Sequence, residues 1–251
     1  MVNIHKGLIL SISLCFVCCN NSNLESIKFT RIEINGQKDT IISEQIRVYK
    51  DSMSKLASNI DFDKIIGYSE GLFTMNDYDK KYFNTSLGNL IADALFIQSD
   101  SLFEKKESKN IDFVLQNHGG VRSSLLVGDI KIEDIFKILP FENEIVVLEL
   151  SGEIIFEIVK FLTNEKNPHP ISGIIINKDE VLINDKLIDN SKIYYVATND
   201  YLLEGGDNMF FLKKNNKVYR LNYSLRSAFI DFVESNFKIK SKVDNRFIKN
   251  E

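Results

Sequence analysis

The stretch Gln116 to Ser124, QNHGGVRSS, places an Asn-His pair, two glycines and an arginine within a few residues, and two chemistries use such sets. The first is a two-metal phosphoesterase centre, which needs several His, Asp and Asn ligands clamping ions a few ångströms apart. The chain has three histidines, His5, His118 and His169, and His5 falls in an apolar leader. No Asp-x-His pair occurs, so the ligand count fails and His118 is expected to be a structural group or a pocket wall. The second chemistry is anion or sugar recognition. A strand ending in Asn117 and followed by Gly119 and Gly120 makes a turn in which no side chain blocks a ligand. Arg122 then presents a planar, permanently charged donor fork suited to a phosphate, a carboxylate or a pair of hydroxyls.

Two further segments strengthen the second reading. LPFENEI puts Phe141 after Pro140, and NDYLLEGGDN puts Tyr201 after an apolar strand and ahead of Gly205, Gly206 and Asp207. An aromatic at an element boundary can stand free of the core, although most such residues are core. Two of them facing one another can sandwich a planar base, at about 1–3 kcal/mol per stacked base. An aspartate behind two glycines can accept hydrogen bonds from ribose hydroxyls.

Taken together, N-x-G-G-V-R (Asn117 to Arg122), P-F-x-N (Pro140 to Asn143) and N-D-Y-x-x-x-G-G-D (Asn199 to Asp207) resemble the C-terminal domain of the 5'-nucleotidase family. SLGNLIADAL and GDIKIEDIFKILPF resemble its helices before and after the first motif, and the similarity runs over about residues 41–237. The resemblance implies that Phe141 and Tyr201 stack the base, Asn117 meets the base edge, Arg122 and Asp207 address the ribose, and Asn143 lies near the base. Gly119, Gly120, Gly205 and Gly206 would let the backbone approach. There are departures. Tyr201 stands where phenylalanine is usual, which keeps the stacking face and adds a hydroxyl. His118 stands where a small residue is common. Lys81 stands where a second arginine often helps to hold the ribose, keeping the charge but losing the fork. In the full-length family a metallophosphatase domain carrying both metals precedes this one, and the sequence leaves no room for it. The resemblance therefore implies no cofactor in this chain, and a divalent metal pair only in a separately encoded catalytic partner.

The elements that must position these residues follow from periodicity. SIKFTRIEI reads as a strand, Ile42 to Leu56 as a helix and KIIGYSEGLF as extended chain. A helix is expected over Ser86 to Leu102, a buried strand in IDFVLQN, and a short helix in IEDIFKIL stopped by Pro140. EIVVLEL reads as a strand, with Ser151 as N-cap of the helix GEIIFEIVKFL. SGIIIN and EVLIN form a hairpin, KIYYVATND is a strand, and YSLRSAFIDFVESNF a closing amphipathic helix. Such irregular interleaving predicts an α+β fold, one compact domain with a mixed sheet covered by helices.

With 251 residues, 44% apolar and 26% charged, the chain can build a real core, and a net charge of −4 without an arginine-rich stripe argues against a nucleic-acid polymer as partner. Residues 1–18 read as a lipoprotein-type signal, too short in its apolar run to span a bilayer. All three cysteines, Cys15, Cys18 and Cys19, lie there; Cys19 is the expected lipidation site, with Cys18 the fallback and a plain secretory signal the alternative. Residues 19–27 would be a polar tether and 28–251 the domain, exported and held at a bacterial membrane by its lipid. Three functions compete: the nucleotide-recognition half of a split 5'-nucleotidase, a non-catalytic surface lipoprotein binding nucleosides or nucleotides, and a degenerate structural module.

Overall fold

A computed structural model describes residues 60–177 and 180–249. The expected lipidation site Cys19, the expected signal and tether, and the strand and helix expected in SIKFTRIEI and over Ile42 to Leu56 lie outside the described residues. The described ones fall within one compact unit.

In chain order the strands are β1 (Ile65–Ser69), β2 (Phe113–Leu115), β3 (Gly128–Lys131), β4 (Glu144–Ser151), β5 (Ile171–Ser172), β6 (Ile174–Ile176), β7 (Val181–Ile183), β8 (Lys186–Leu187), β9 (Ile193–Asn199), β10 (Lys217–Ser224) and β11 (Lys238–Ile239). The helices are α1 (Ser86–Glu107), α2 (Ile132–Ile138), α3 (Gly152–Asn164), α4 (Asp200–Leu203) and α5 (Leu225–Asn236). Three sheets form, in the orders β11-β1-β3, β10-β4-β9-β2-β5 and β6-β7-β8. The central five-stranded sheet is mixed: β9 and β2 run parallel, while β4 is antiparallel to both β9 and β10.

The period of two along β4 divides the core. Ile145 and Val147 pack with Leu87, Ile91 and Leu95 of α1 and Phe229 of α5, whereas Val146, Leu148 and Leu150 belong with Ile155 and Ile158 of α3. β2 and β9 split the same way, Val114 and Ala197 to the first face, Phe113 and Val196 to the second. The sheet is a middle layer with helices on both faces, which is why its strands read as continuous apolar runs.

Local chemistry sets the ends of the elements. Thr85 caps α1 by accepting Gly88 N–H at 3.0 Å, and the left-handed Ser108 (φ 54°) ends it. The helix runs five residues past the expected Leu102, because its last turn, EKKE, is polar and carries no apolar stripe. α2 stops two residues before Pro140. Ser151 does occupy the N-cap of α3, but its side chain makes no capping bond. It is still strand, paired with Ile193, and the next amide, Gly152 N–H, goes to Lys192 O at 3.0 Å.

Candidate functional site

Strand direction gathers the three motifs at one end of the central sheet. β2 and β9 are parallel, with Val114 beside Ala197, so the chain leaves both at the same end. β4 is antiparallel to β9, with Ile145 opposite Asn199, so the chain enters β4 at that end. Asn117 follows β2, Phe141 and Asn143 precede β4, and Tyr201 follows β9. Ligands of open α/β sheets lodge beyond the carboxyl ends of strands for the same geometric reason.

Each motif is held from beneath. After β2 the chain makes one 3₁₀ turn, His118–Gly120, and Arg122 N–H then donates to Ile138 O at 2.9 Å. A side chain on Gly120 would meet the Asn117 amide at 3.0 Å, while one on Gly119 would only touch Asn117 Nδ2 at 4.0 Å. Arg122 is exposed, and among the described residues only its Nη1 is engaged, donating to Gly119 O at 3.3 Å.

The Pro140–Phe141 turn rests on Arg226 of α5. That side chain is buried (8% exposed), stacks 4.0 Å over the Phe136 ring, and donates from Nε to Leu139 O at 2.9 Å and from Nη2 to Pro140 O at 2.8 Å. Phe141 itself is half exposed, at 50%, as a stacking plate requires and a core residue does not. Asn143 O accepts Leu225 N–H at 3.0 Å, and Glu144 N–H donates to Asp200 Oδ1 at 3.2 Å, which ties the second motif to the third.

In the third motif Tyr201 is 44% exposed and its ring lies on Gly206, where a Cβ would come within 2.4 Å of it. The hydroxyl that distinguishes Tyr201 from phenylalanine donates to Asp207 Oδ1 at 2.8 Å and accepts Asp207 N–H at 3.3 Å. The hydrogen bond to Asp207 raises the Tyr201 pKa above its ordinary value. The tyrosine thus fixes the aspartate, whose backbone is left-handed (φ 50°) behind the equally left-handed Gly205 (φ 89°). Phe141 and Tyr201 make no ring contact with one another among the described residues.

His118 proves to be part of a pair. Its N–H donates to His169 Nδ1 at 3.3 Å, and its ring Nδ1 lies 3.0 Å from Pro168 O, so the Pro-His-Pro loop and the glycine turn hold each other. Burial pushes the His169 pKa below the usual imidazole value, against the opposing charges of Glu165 and Asp207. Lys81 places its Nζ 4.9 Å from the Tyr82 ring, and its carbonyl accepts Lys249 N–H at 2.9 Å. Among the described residues no group of three or more His, Cys, Asp and Glu side chains converges to hold a metal ion.

Arg226 and Gln116 carry no expected role in the sequence, and His169 figures there only in the metal-ligand count. For Arg226 a signal existed: with Phe229 and Val233 it follows a three-and-four spacing, an arginine on the apolar stripe of a helix.

The family model described as 5'-nucleotidase, C-terminal domain, matches residues 65–174 and 159–214. The 5'-nucleotidase of Diplobatis ommata is 25% identical over 228 residues, covering 80% of this chain and 38% of the relative. Protein UshA of Escherichia coli K12 is 28% identical over 144 residues, covering 52% of this chain and 24% of its own length. Among solved structures, the 5'-nucleotidase precursor of Thermus thermophilus shares the fold, with a TM-score of 0.64 at 21% identity, over 85% of this chain and 44% of that one. The chain thus spans less than half the length of these relatives. With the family model covering the residues from Ile65 to Lys214, more than half of the chain, and with its three motif loops gathered at one end of the sheet, the chain belongs to the 5'-nucleotidase C-terminal domain family.

Proposed function

We propose that this chain is the nucleotide-recognition part of a 5'-nucleotidase-type phosphohydrolase. Phe141 and Tyr201 stack the base, Asn117 and Asn143 meet its edge, and Arg122 and Asp207 address the ribose. Gly119, Gly120, Gly205 and Gly206 admit the backbone to the ligand. The observation that carries this reading is the pair of half-exposed aromatics, Phe141 and Tyr201, at the same end of the sheet as an exposed, underused guanidinium. Folding gains little from leaving two large rings in water, whereas a base between them recovers their burial. Binding at base and ribose would position the phosphate, and a divalent metal pair carried by a partner would supply the activation of water for its hydrolysis. The divalent metal pair would belong to a separate metallophosphatase partner. The chain is exported and anchored through a lipidated Cys19, a reading supported by its N-terminal sequence. Among the described residues no helix is long and apolar enough to cross a membrane.

Calorimetric titration with adenosine and AMP, in chelator and then with manganese, tests the assignment. Metal-independent binding that disappears in a Phe141→Ala/Tyr201→Ala protein is expected, with no phosphate release by the protein alone. Phosphate release that depends on this chain's own residues would overturn the division of labour. Absence of all nucleoside and nucleotide binding would leave the chain a structural module.

A further inference from the structure

Asn199 is the last residue of β9, and its side chain lies between the first motif and the third. Its Oδ1 accepts the backbone N–H of Leu202 at 2.8 Å, which only an oxygen can do, so its other branch is the NH₂ group. That group donates to Gln116 Oε1 at 2.7 Å and to Asn117 Oδ1 at 3.2 Å. Both neighbours must therefore turn their oxygens toward Asn199 and their NH₂ groups away from it. The chain of bonds starts at a backbone N–H, so neither amide is free to flip.

For Gln116 the consequence is unusual. The residue is 3% exposed, and its Nε2 has no hydrogen-bond partner among the described residues. A buried amide donor without an acceptor is costly and rare in native proteins. Ser99 Oγ and Thr198 Oγ1 share that condition, but a hydroxyl hydrogen rotates to find an acceptor and an amide hydrogen does not. Gln116 is not kept for its backbone, whose N–H already donates to Pro170 O at 2.9 Å in the way any residue could. Its side chain lines a recess together with Asn117, Gly120, Phe141 and Asn143, the residues assigned above to the base.

We infer that Gln116 is a specificity-determining residue of this site, donating a hydrogen bond from Nε2 to a carbonyl oxygen or an unprotonated ring nitrogen on the base edge. The inference rests on the nucleotide-recognition reading and narrows it. Gln116 and Asn117 both spend their oxygens on Asn199, so together they present donors to the ligand. The ligand class that fits is a base with acceptors along that edge. A site built to hydrogen-bond its ligand rejects an analogue lacking the partner atom, because the buried polar group is then left unpaired.

The test is a binding panel of adenosine, inosine and deazaadenosines in which one ring nitrogen at a time is replaced by C–H. Native protein, Gln116→Met and Gln116→Glu are compared. In the native protein one loss of an acceptor lowers affinity about tenfold, the ratio that one unmatched hydrogen bond corresponds to. In Gln116→Met the same analogue and its parent bind equally. Gln116→Glu still accepts from Asn199 but puts a carboxyl group at a position only 3% exposed, so its folding is checked by thermal denaturation; where it is ionised it replaces the donor by an acceptor, and the panel shifts toward bases with an amino group on that edge. If affinity ratios across the panel are the same in all three proteins, the inference is overturned while nucleotide recognition stands. If the native protein binds no member of the panel, the recognition reading falls and this inference with it.

Discussion

Gly206→Ala separates the role of Tyr201 in binding from any role in folding. A Cβ at Gly206 would lie 2.4, 2.5 and 2.6 Å from the Tyr201 ring carbons Cε1, Cζ and Cδ1. Ordinary carbon contacts begin at about 3.5 Å, so the ring has to retreat by about 1 Å. It can do so cheaply, because Tyr201 is 44% exposed and the obstacle is a side chain rather than backbone. The folding cost is then mainly the Tyr201–Asp207 hydrogen bond, about 1 kcal/mol, partly offset by the stiffer unfolded chain that alanine brings. For a domain of this size that lowers Tm by only about 2–4 °C. Binding suffers more. A displaced ring no longer lies parallel to the base, and stacking of about 1–3 kcal/mol is lost, roughly five- to a hundredfold in Kd.

Gly152→Ala is the matched control. Its Cβ would meet Asp189 O at 2.1 Å and Asn190 Cα at 2.7 Å, both backbone atoms. The tight turn before β9, where Lys192 N–H donates to Asp189 O at 3.2 Å, would have to move, at about 2 kcal/mol or more. Gly152 follows the far end of β4, away from the motifs, so affinity is expected to hold. Thermal denaturation and adenosine titration on the two variants give opposite patterns: stability kept and affinity lost for Gly206→Ala, the reverse for Gly152→Ala. Native affinity in Gly206→Ala would refute Tyr201 as a stacking plate. Destabilisation equal to that of Gly152→Ala would show the ring to be structural.

Arg226→Lys should destabilise the fold by about 2–3 kcal/mol, since one ammonium cannot serve Leu139 O and Pro140 O while stacking on Phe136; urea denaturation measures this, and nucleoside affinity should fall as the Phe141 turn loosens. Asn199→Ala leaves Gln116 Oε1, Asn117 Oδ1 and Leu202 N–H without their partner, and a loss of about 2–4 kcal/mol is expected by the same assay. For His169 the sign follows from burial, which lowers its folded pKa below the ordinary 6.5. As pH falls through that value the unfolded chain takes up the proton first, so stability is full above it and declines between the ordinary and the folded pKa. The fall in Tm from neutral to mildly acidic pH should therefore be smaller in His169→Asn than in the native protein.

How much of this was legible in the sequence depended on how far apart the cooperating residues lie. The motif loops were readable because each compresses its glycines, aromatic and charged group into a few consecutive residues. The supports were not: Arg226 reaches Leu139 from 87 residues away, and Asn199 reaches Gln116 from 83. The same distance hid the sheets. The mixed sheet was expected, and the described residues add two small sheets beside it, because β8 and β11 are two residues long and carry no periodicity, and β11 joins β1 across most of the domain. β10 escaped because KVYRLNYS mixes polar and apolar residues, and its pairing with β4 shifts register between Arg220 and Ser224, around the left-handed Asn222. Tyr219 and Leu221 nevertheless face the core there.

The division between buried and exposed groups explains why the site needs so few residues to define it. Asn199 and Arg226, each less than a tenth exposed, do not form the site's open face; they set the directions of what does. A single asparagine, oriented by one backbone N–H, dictates the polarity of two amides. A single arginine, holding two carbonyls, dictates where Phe141 stands. The exposed plates and the guanidinium can then vary in contact with ligand without disturbing the core, because their positions are enforced from beneath rather than by one another. That arrangement also accounts for the tyrosine at position 201. On a loop with three consecutive left-handed or glycine residues after Gly205, an aspartate would otherwise sample many directions, and the phenolic hydroxyl removes that freedom with two hydrogen bonds.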